Sequence, residues 1–530
     1  MSSSTQAALP VAASPSSSDR PADGRRPAIL AAVLALLVYA VTLSGTYIYD
    51  DCEVARDDPR LATPAMWSRY WTRPYMRGGL DKTYRPLTSM TFAVEQWLHG
   101  PRPWAFHLVN ILLHAAASAA VAVLAARLAG LRTAFIAGAL FAIHPVHTDA
   151  VAGLVGRAEP MCLLATFIGL CLFIRAPLTM GRATAIVACF VAALLSKEQG
   201  MLFPFFILAL LPLRRSRDGF PRADEKRAAV FLAAGLLWTL AVYGILREQL
   251  IGTWWDRQSV YWIYNPLVRS AGLDRVLLPV ALAGRYLSLL IAPVRLSPDY
   301  TAYAIGWQTG LRDPYLYLGV AAVVCWVAVF AYSLWRRNMV LLFGVGALAV
   351  SYLLISNVPM LISTIFAERL IYLPSAFFLI VIGSMLARAR PKVLVPLVAA
   401  LVVVGGWRTV SYARQWNDRL LFYDQCLDTQ PGSAMLYRLS FDEHAHRGDW
   451  RGARAVAVRG CENLPDILAG WEMLIESSLQ LGDTPGAREA LSRARKACPG
   501  AHMSFSYWQE KIDAAGADKP PHAPQAAQGR

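Results

Sequence analysis

Charge is what this chain has little of. Asp, Glu, Lys and Arg make up 16% of its 530 residues, against about 25% in an average soluble protein. With 56% hydrophobic residues there is too little polar surface to clothe a soluble globule, so the composition excludes that class and points to a polytopic membrane protein. Paired cysteines are also missing. The eight cysteines, Cys52, Cys162, Cys171, Cys189, Cys325, Cys426, Cys461 and Cys498, form no CxxC pair and no His/Cys metal spacing, so neither a zinc site nor a redox motif is supported. A basic domain is lacking as well. Lys and Arg outnumber Asp and Glu 51 to 36, but they fall in short clusters between apolar runs, a topological pattern that calls for no nucleic acid partner.

What is there begins with residues 1–26, rich in Ser, Ala and Pro and ending in Arg25-Arg26. Such a segment buries too little apolar surface to fold and is expected to be a disordered cytoplasmic tail. The run Pro27 to Gly45 follows, with no small-residue cleavage site at its end, and reads as an uncleaved signal anchor. Further apolar runs lie at 105–126, 133–146, 160–174, 183–196, 199–213, 228–247, 275–294, 315–335, 339–356, 370–387 and 393–406. The pair 183–196 and 199–213 is short for a span of about 20 residues and reads as a helical hairpin. With Arg25-Arg26 inside, counting crossings puts the clusters Arg127 and Arg132, Arg175 and Arg182, Arg214 to Arg227, Arg336-Arg337 and Arg388 to Lys392 on one side, provided that 275–294, with Pro279 and Arg285, does not cross. The expectation is eleven crossings, an inside N-terminus and an outside C-terminus.

The same count gathers the unusual polar residues on the outer face: Asp50-Asp51, His144-Pro145-Val146-His147-Thr148-Asp149, Gly156-Arg157-Ala158-Glu159, Ser196-Lys197-Glu198 and Ala367-Glu368-Arg369. Any one of these reads most simply as a charge pair at a helix end. Five at one depth point instead to a site in a cavity. Arg, Lys and His there would hold a lipid phosphate, and a carboxylate would take a proton from an incoming hydroxyl. The first outer loop, 46–104, adds Tyr84-Arg85-Pro86-Leu87 ahead of the apolar-aromatic segment Met90 to Leu98. That segment suits the membrane interface, as a place for a lipid-linked substrate to arrive or as a plain surface anchor.

Beyond Trp407 a period of 34 appears. Pro431, Pro465 and Pro499 keep that spacing, as do Gly448 and Gly482, Ala453 and Ala487, and Tyr437 and Trp471. This is the tetratricopeptide period, and it predicts two full repeats, about 434–465 and 468–499, preceded by a partial one from Trp416 to Pro431. Such a short α-solenoid would hold a polypeptide in its concave surface or serve as a rigid cap. The Pro, Ala and Gln-rich tail, 516–530, is expected to be disordered. The chain therefore divides into 1–26, a membrane domain over 27–410, repeats over 411–515 on the outer face, and the tail.

Tyr49-Asp50-Asp51, TYRPLTSMTF, FHLVNILLHA, LFAIHPVHTDAVAGLVGRAE, LLSKEQG and SNVPMLISTIFAERLIYLPS, followed by the repeats, resemble the transmembrane and tetratricopeptide repeat (TMTC) group of protein O-mannosyltransferases, or a bacterial relative. The likeness covers roughly residues 30 to 500, and Leu296-Ser297-Pro298-Asp299-Tyr300 is similar to an element that follows the group's non-crossing helix. It implies an all-α, GT-C-like glycosyltransferase fold of about eleven spans in a bacterial-type inner membrane, with the N-terminus cytoplasmic and the repeats periplasmic. It also implies inverting transfer of a sugar, mannose in this group, from a polyprenyl-phosphate donor to Ser or Thr hydroxyls of a protein or peptide acceptor. By resemblance Asp50 and Asp51 are the catalytic pair, one the base and the other orienting the acceptor or a water. Arg85, His147, Arg157, Lys197 and Arg369 become candidates for the lipid phosphate, with Glu159, Glu198 and Glu368 as their partners. His144, next to Pro145, suits packing as well as contact. No cofactor is required, and a divalent metal beside Asp50-Asp51 is compatible with the pair without being demanded by the spacing. The repeat array is much shorter than in animal members of the group, and the sugar is not fixed by a short motif. A transferase acting on a lipid or cell-envelope glycan, a flippase of lipid-linked sugars, or a scaffold remain as alternatives. Repeated halves, the mark of many transporters, are not evident.

Overall fold

A computed structural model describes residues 24–76, 83–218, 223–252, 260, 262–306 and 310–517. The tails expected over 1–26 and 516–530, all but three and two residues respectively, lie outside the described residues, as does Arg222 of the basic clusters.

Among the described residues the chain is helical throughout. The order begins α1 (Arg25–Tyr39), α2 (Pro86–His99), α3 (Pro103–Ala129), α4 (Leu131–Ile143), the short α5 (Thr148–Ala152), α6 (Ala158–Phe173), α7 (Met180–Ser196), α8 (Phe203–Asp218) and α9 (Ala223–Ile251). After a loop come α10 (Asp274–Ile291), the four-residue α11 (Ala302–Ile305), α12 (Pro314–Trp335), α13 (Met339–Ile355), α14 (Tyr372–Leu386) and α15 (Pro391–Ala413). The starts follow local chemistry. Proline opens α2, α3, α12 and α15, where its missing N–H costs nothing. Thr179, Asp313 and Asn338 cap α7, α12 and α13 by accepting backbone N–H bonds.

Among the described residues seven segments are long and apolar enough to cross a bilayer, or eight if α4 and the following bent piece, Pro145–Ala152, count as one span turning by 51°. The shorter α7 and α13 are also apolar, which makes this a multi-pass membrane protein. The eleven runs expected to cross fall on α1, α3, α4, α6 to α9 and α12 to α15, of which α8 is neither a candidate span nor one of the shorter apolar helices. In the spans at α6 and α14, 78% and 67% of the apolar window is buried, against 11% at α12 and α15, so the first two are central and the last two line the rim. Phe167, Phe190, Phe203, Phe206 and Phe377 fill the core between α6, α7, α8 and α14.

One expectation about a particular segment comes out differently. The pair α7 and α8 does not fold as a hairpin: α7 packs on α6 and α9, whereas α8 packs mainly on α13. The break at Lys197 and the turn Glu198–Leu202 send the two helices to different neighbours. The run 275–294 forms α10, which is not among the seven candidates. It buries Leu278, Leu282, Tyr286 and Leu289, one stripe at helical spacing, and packs along α12.

From α15 the chain enters α16 (Arg419–Thr429), α17 (Ala434–His446), α18 (Trp450–Asn463), α19 (Leu468–Gln480), α20 (Thr484–Ala497) and α21 (His502–Ala517). Each packs on the next. Ala434 and Leu468, and Trp450 and Thr484, start corresponding helices 34 residues apart. Gly448 and Gly482 close α17 and α19 with φ of 73° and 72°, left-handed positions that glycine takes without a Cβ penalty.

The α10–α12 contact is set by two glycines. A Cβ on Gly284 would run into the carbonyl of Tyr315, and one on Gly319 into that of Val280, the close backbone approach that small residues permit between apolar helices. Gly319→Leu is expected to force α10 off α12 and to destabilise the protein by about 1–3 kcal/mol or more. Thermal unfolding of the purified variant in detergent checks this; an unchanged midpoint would contradict the close packing.

Candidate functional site

The ends of α6, α7, α9 and α13 meet the first loop around a cleft of about 1520 Å³, part of it open solvent. Asp50, Arg85, Glu159, Lys197, Glu198 and Arg369 all line it. Segments up to some 320 residues apart thus deliver six of the ten residues singled out in the sequence to one wall.

Their pairing is specific. Arg369 reaches Asp50 at 3.6 Å with one guanidinium nitrogen and Asp149 at 3.5 Å with the other, and its backbone N–H donates to Asp149 at 3.1 Å. Arg85 pairs with Glu198 at 2.9 Å and stacks over Tyr75 at 5.2 Å. Arg247 lies 4.0 Å from the same carboxylate. Burial alone would raise the Glu198 carboxyl, but Arg85 and Arg247 beside it hold it down at about 2. Lys197 donates to Glu159. The cleft therefore has one end where a carboxylate, Asp50, is presented by an arginine, and another where three cations surround two carboxylates.

The other four, and His144 beside them, face elsewhere. Arg157 is fully buried and spends its donors on Glu95, Asn110, Thr91 and the carbonyl of Phe106, with its guanidinium 3.9 Å above the Phe92 ring. His147 is enclosed too, its ring nitrogens against the carbonyl of Phe141 at 2.9 Å and Ser375 Oγ at 2.8 Å. His144 packs, with Nε2 3.1 Å from the Leu290 carbonyl. Glu368 accepts from the Ser297 N–H at 2.6 Å and the Tyr300 hydroxyl at 2.8 Å, clamping the strap that follows α10. Asp51, 2% exposed, accepts N–H bonds from Ile48 at 3.2 Å and Val155 at 2.9 Å.

Sequence reasoning passed over Arg247, Tyr243 and Tyr75, which also line the cleft. The signal for the first two was present: Tyr243 and Arg247 stand four apart, hence on one face, at the end of α9. Asp149 lay inside a motif already noted, without being chosen. Among the described residues no three His, Cys, Asp or Glu side chains converge as a metal site.

No protein-family model matches the chain. Among characterised proteins it is similar to the mouse protein O-mannosyl-transferase TMTC4, 26% identical over 463 residues, covering 76% of this chain and 62% of that protein. It is also similar to the Drosophila melanogaster protein O-mannosyl-transferase Tmtc2, 32% identical over 300 residues, 53% of this chain and 31% of that one. The chain is thus similar to proteins of the TMTC group. It spans less than two thirds of the length of these relatives. Among solved structures it is similar to ArnT from Cupriavidus metallidurans, crystallised with undecaprenyl phosphate, with a TM-score of 0.41 at 16% identity over 86% of this chain and 79% of that one; a likeness that loose adds no weight to the TMTC homology.

Asp51, the second acid of the TMTC-like pair, offers a direct test of its setting. Burial pushes its carboxyl up to about 7, while the N–H groups of Val155, Ile48 and Leu154 pull the other way. Unfolded, an aspartate titrates near 3.9. Between about pH 4 and 7 the folded state thus binds a proton that the unfolded state has lost, and stability falls as pH rises through that window, by at most roughly 4 kcal/mol. Asp51→Asn, which cannot ionise, is expected to flatten the dependence of the unfolding midpoint on pH between about 4 and 7. An identical slope in the two proteins would place the titrating group elsewhere.

Proposed function

We propose that this chain is a GT-C-type membrane glycosyltransferase that moves mannose from a polyprenyl-phosphate donor to Ser or Thr hydroxyls of proteins, on the outer face of a bacterial inner membrane. The observation that carries the reading is the division of the cleft: Asp50 held by Arg369 at one end, and Arg85, Arg247 and Lys197 at the other. Homology to proteins named protein O-mannosyl-transferases supports the sugar and the acceptor. The count of basic clusters supports a cytoplasmic N-terminus with α16 to α21 periplasmic, a domain of tetratricopeptide repeats placed to present a polypeptide.

In this scheme the acceptor hydroxyl lies against Asp50, which takes its proton as the oxygen attacks the anomeric carbon. The bond from that carbon to the donor phosphate breaks, the configuration inverts, and the electron pair leaves on the phosphate. Arg85, Arg247 and Lys197 offset the charge that develops there. Arg369, tied to Asp149, keeps the base aimed. Asp51 takes no part in proton transfer, because its oxygens are turned to backbone N–H groups away from the cleft.

Purified protein in detergent, given polyprenyl-phosphate mannose and a Ser/Thr peptide, is expected to transfer the sugar. Asp50→Asn should lower kcat by about 10²- to 10⁴-fold, the share a general base supplies, and Asp51→Asn should lose less. Arg247→Ala should act mainly on the donor KM. Full activity in Asp50→Asn would remove this carboxylate from the mechanism, and equal losses at Asp50 and Asp51 would undo the division of roles.

A further inference from the structure

The residue that precedes the proposed base is held by the C-terminal helices. Tyr49 has φ of 59°, a left-handed conformation that a bulky residue adopts only when its surroundings over-determine it. Three contacts do so. Its N–H donates to the Tyr423 hydroxyl at 3.1 Å. One residue back, the side chain of Ile48 is 1% exposed and sits in the apolar cluster of Trp416, Phe422 and Leu427. Two residues back, the carbonyl of Tyr47 accepts from Arg419 Nε at 2.6 Å.

Arg419 and Tyr423 stand four apart on α16, so one turn of a single helix grips the carbonyl of Tyr47 and the N–H of Tyr49, with Ile48 wedged between. A second arm reinforces the first. The Tyr49 hydroxyl donates to Asp299 at 3.4 Å, and Ser433, at the start of α17, donates to the other oxygen of the same carboxylate. Main chain and side chain of Tyr49 are thereby tied to residues about 250 to 374 positions away. The next residue is Asp50, at the cleft wall.

We infer that Arg419 and Tyr423 of α16 are positioning residues for the reaction: they hold the 47–49 segment in the one backbone conformation that delivers Asp50 to the cleft, which makes the first C-terminal helix a support of the active site as well as the start of an acceptor platform. The inference rests on Asp50 being the base. Without the grip, Tyr49 relaxes to a right-handed or extended φ, and the direction in which the chain presents Asp50 changes with it. The donor site at Arg85, Arg247 and Lys197 hangs on other elements and stays in place. Loss of the grip therefore falls on the chemical step and spares substrate binding.

The test uses the full-length protein in detergent, with polyprenyl-phosphate mannose and a Ser/Thr peptide. Tyr423→Phe keeps the ring and removes only the accepting oxygen. It should raise amide exchange across residues 46–56 by about tenfold and lower kcat by about tenfold, with both KM values within about twofold of the wild type. Arg419→Met should behave alike, and Arg419→Lys should recover most of the rate. Leu491→Ala, in the buried core of α20 and outside the contacts that hold the 47–49 segment, should lower the unfolding midpoint with kcat kept where the protein is folded. Unchanged exchange in Tyr423→Phe overturns the grip. Faster exchange with a normal kcat, in a protein that Asp50→Asn inactivates, overturns the positioning role. Equal kcat losses in Leu491→Ala and Tyr423→Phe overturn it too, since any damage to the C-terminal helices would then suffice. Normal transfer by Asp50→Asn fails the underlying reading of the base, a separate result that the exchange data do not alter.

Discussion

In a bundle of apolar helices a lone charge costs several kcal/mol, and the arrangement of this protein follows from meeting that cost at every buried ionic group. Arg157 is fully enclosed and Glu95 lies against it. Lys197 has Glu159, Arg85 has Glu198, and Arg369 lies between Asp149 and Asp50. Each pair joins segments that are far apart in sequence, so the pairs also fix which helix ends meet. Breaking one by removing a single partner leaves an uncompensated charge, which costs more than the intact pair contributes. At the cleft two arginines share one carboxylate: Arg247 lies 4.0 Å from the Glu198 side chain that Arg85 also holds.

The same constraint separates two kinds of charged residue that look alike in sequence. Arg157 and Arg369 both sit in a short turn just ahead of a helix and both lie in the motifs of the resemblance. Arg157 meets five acceptors and a ring face and is saturated. Arg369 is about a quarter exposed and bridges two carboxylates at long range, a geometry that can tighten around a substrate. Saturation within the core reads as scaffold, and a bridging pair at the cleft wall reads as site.

Much of this was legible in the residues, and the reason is periodicity. Apolar runs gave the helices, and basic clusters singled out 275–294, which becomes α10 along α12. The 34-residue spacing reappears as the interval between helix starts. Convergence of the polar motifs was legible too, because a topology count places helix ends even when it says nothing of side chains. What was not legible is direction. Whether His147, Glu368 or Asp51 points into the cleft depends on rotamers and on partners such as Ser375, Ser297 and Val155, and no motif names those partners. Arg247 was missed for the converse reason, being an ordinary arginine at the end of a span until Glu198 lies beside it.

Direction also decides between the two neighbouring acids. Asp51 is folded back on the N–H of Ile48 within its own turn and bonded across to Val155. That second bond fastens the first loop to the segment leading into α6, whose Gly156 and Glu159 line the cleft. The left-handed Tyr49 then turns the chain so that Asp50 meets Arg369. In the proposed mechanism the two carboxylates of one loop are a base and an anchor, and the anchor's two oxygens take N–H groups from two segments at once. One acid fixes the loop against the membrane bundle, α16 fixes it from the other side, and the other acid, Asp50, stands at the cleft wall against Arg369.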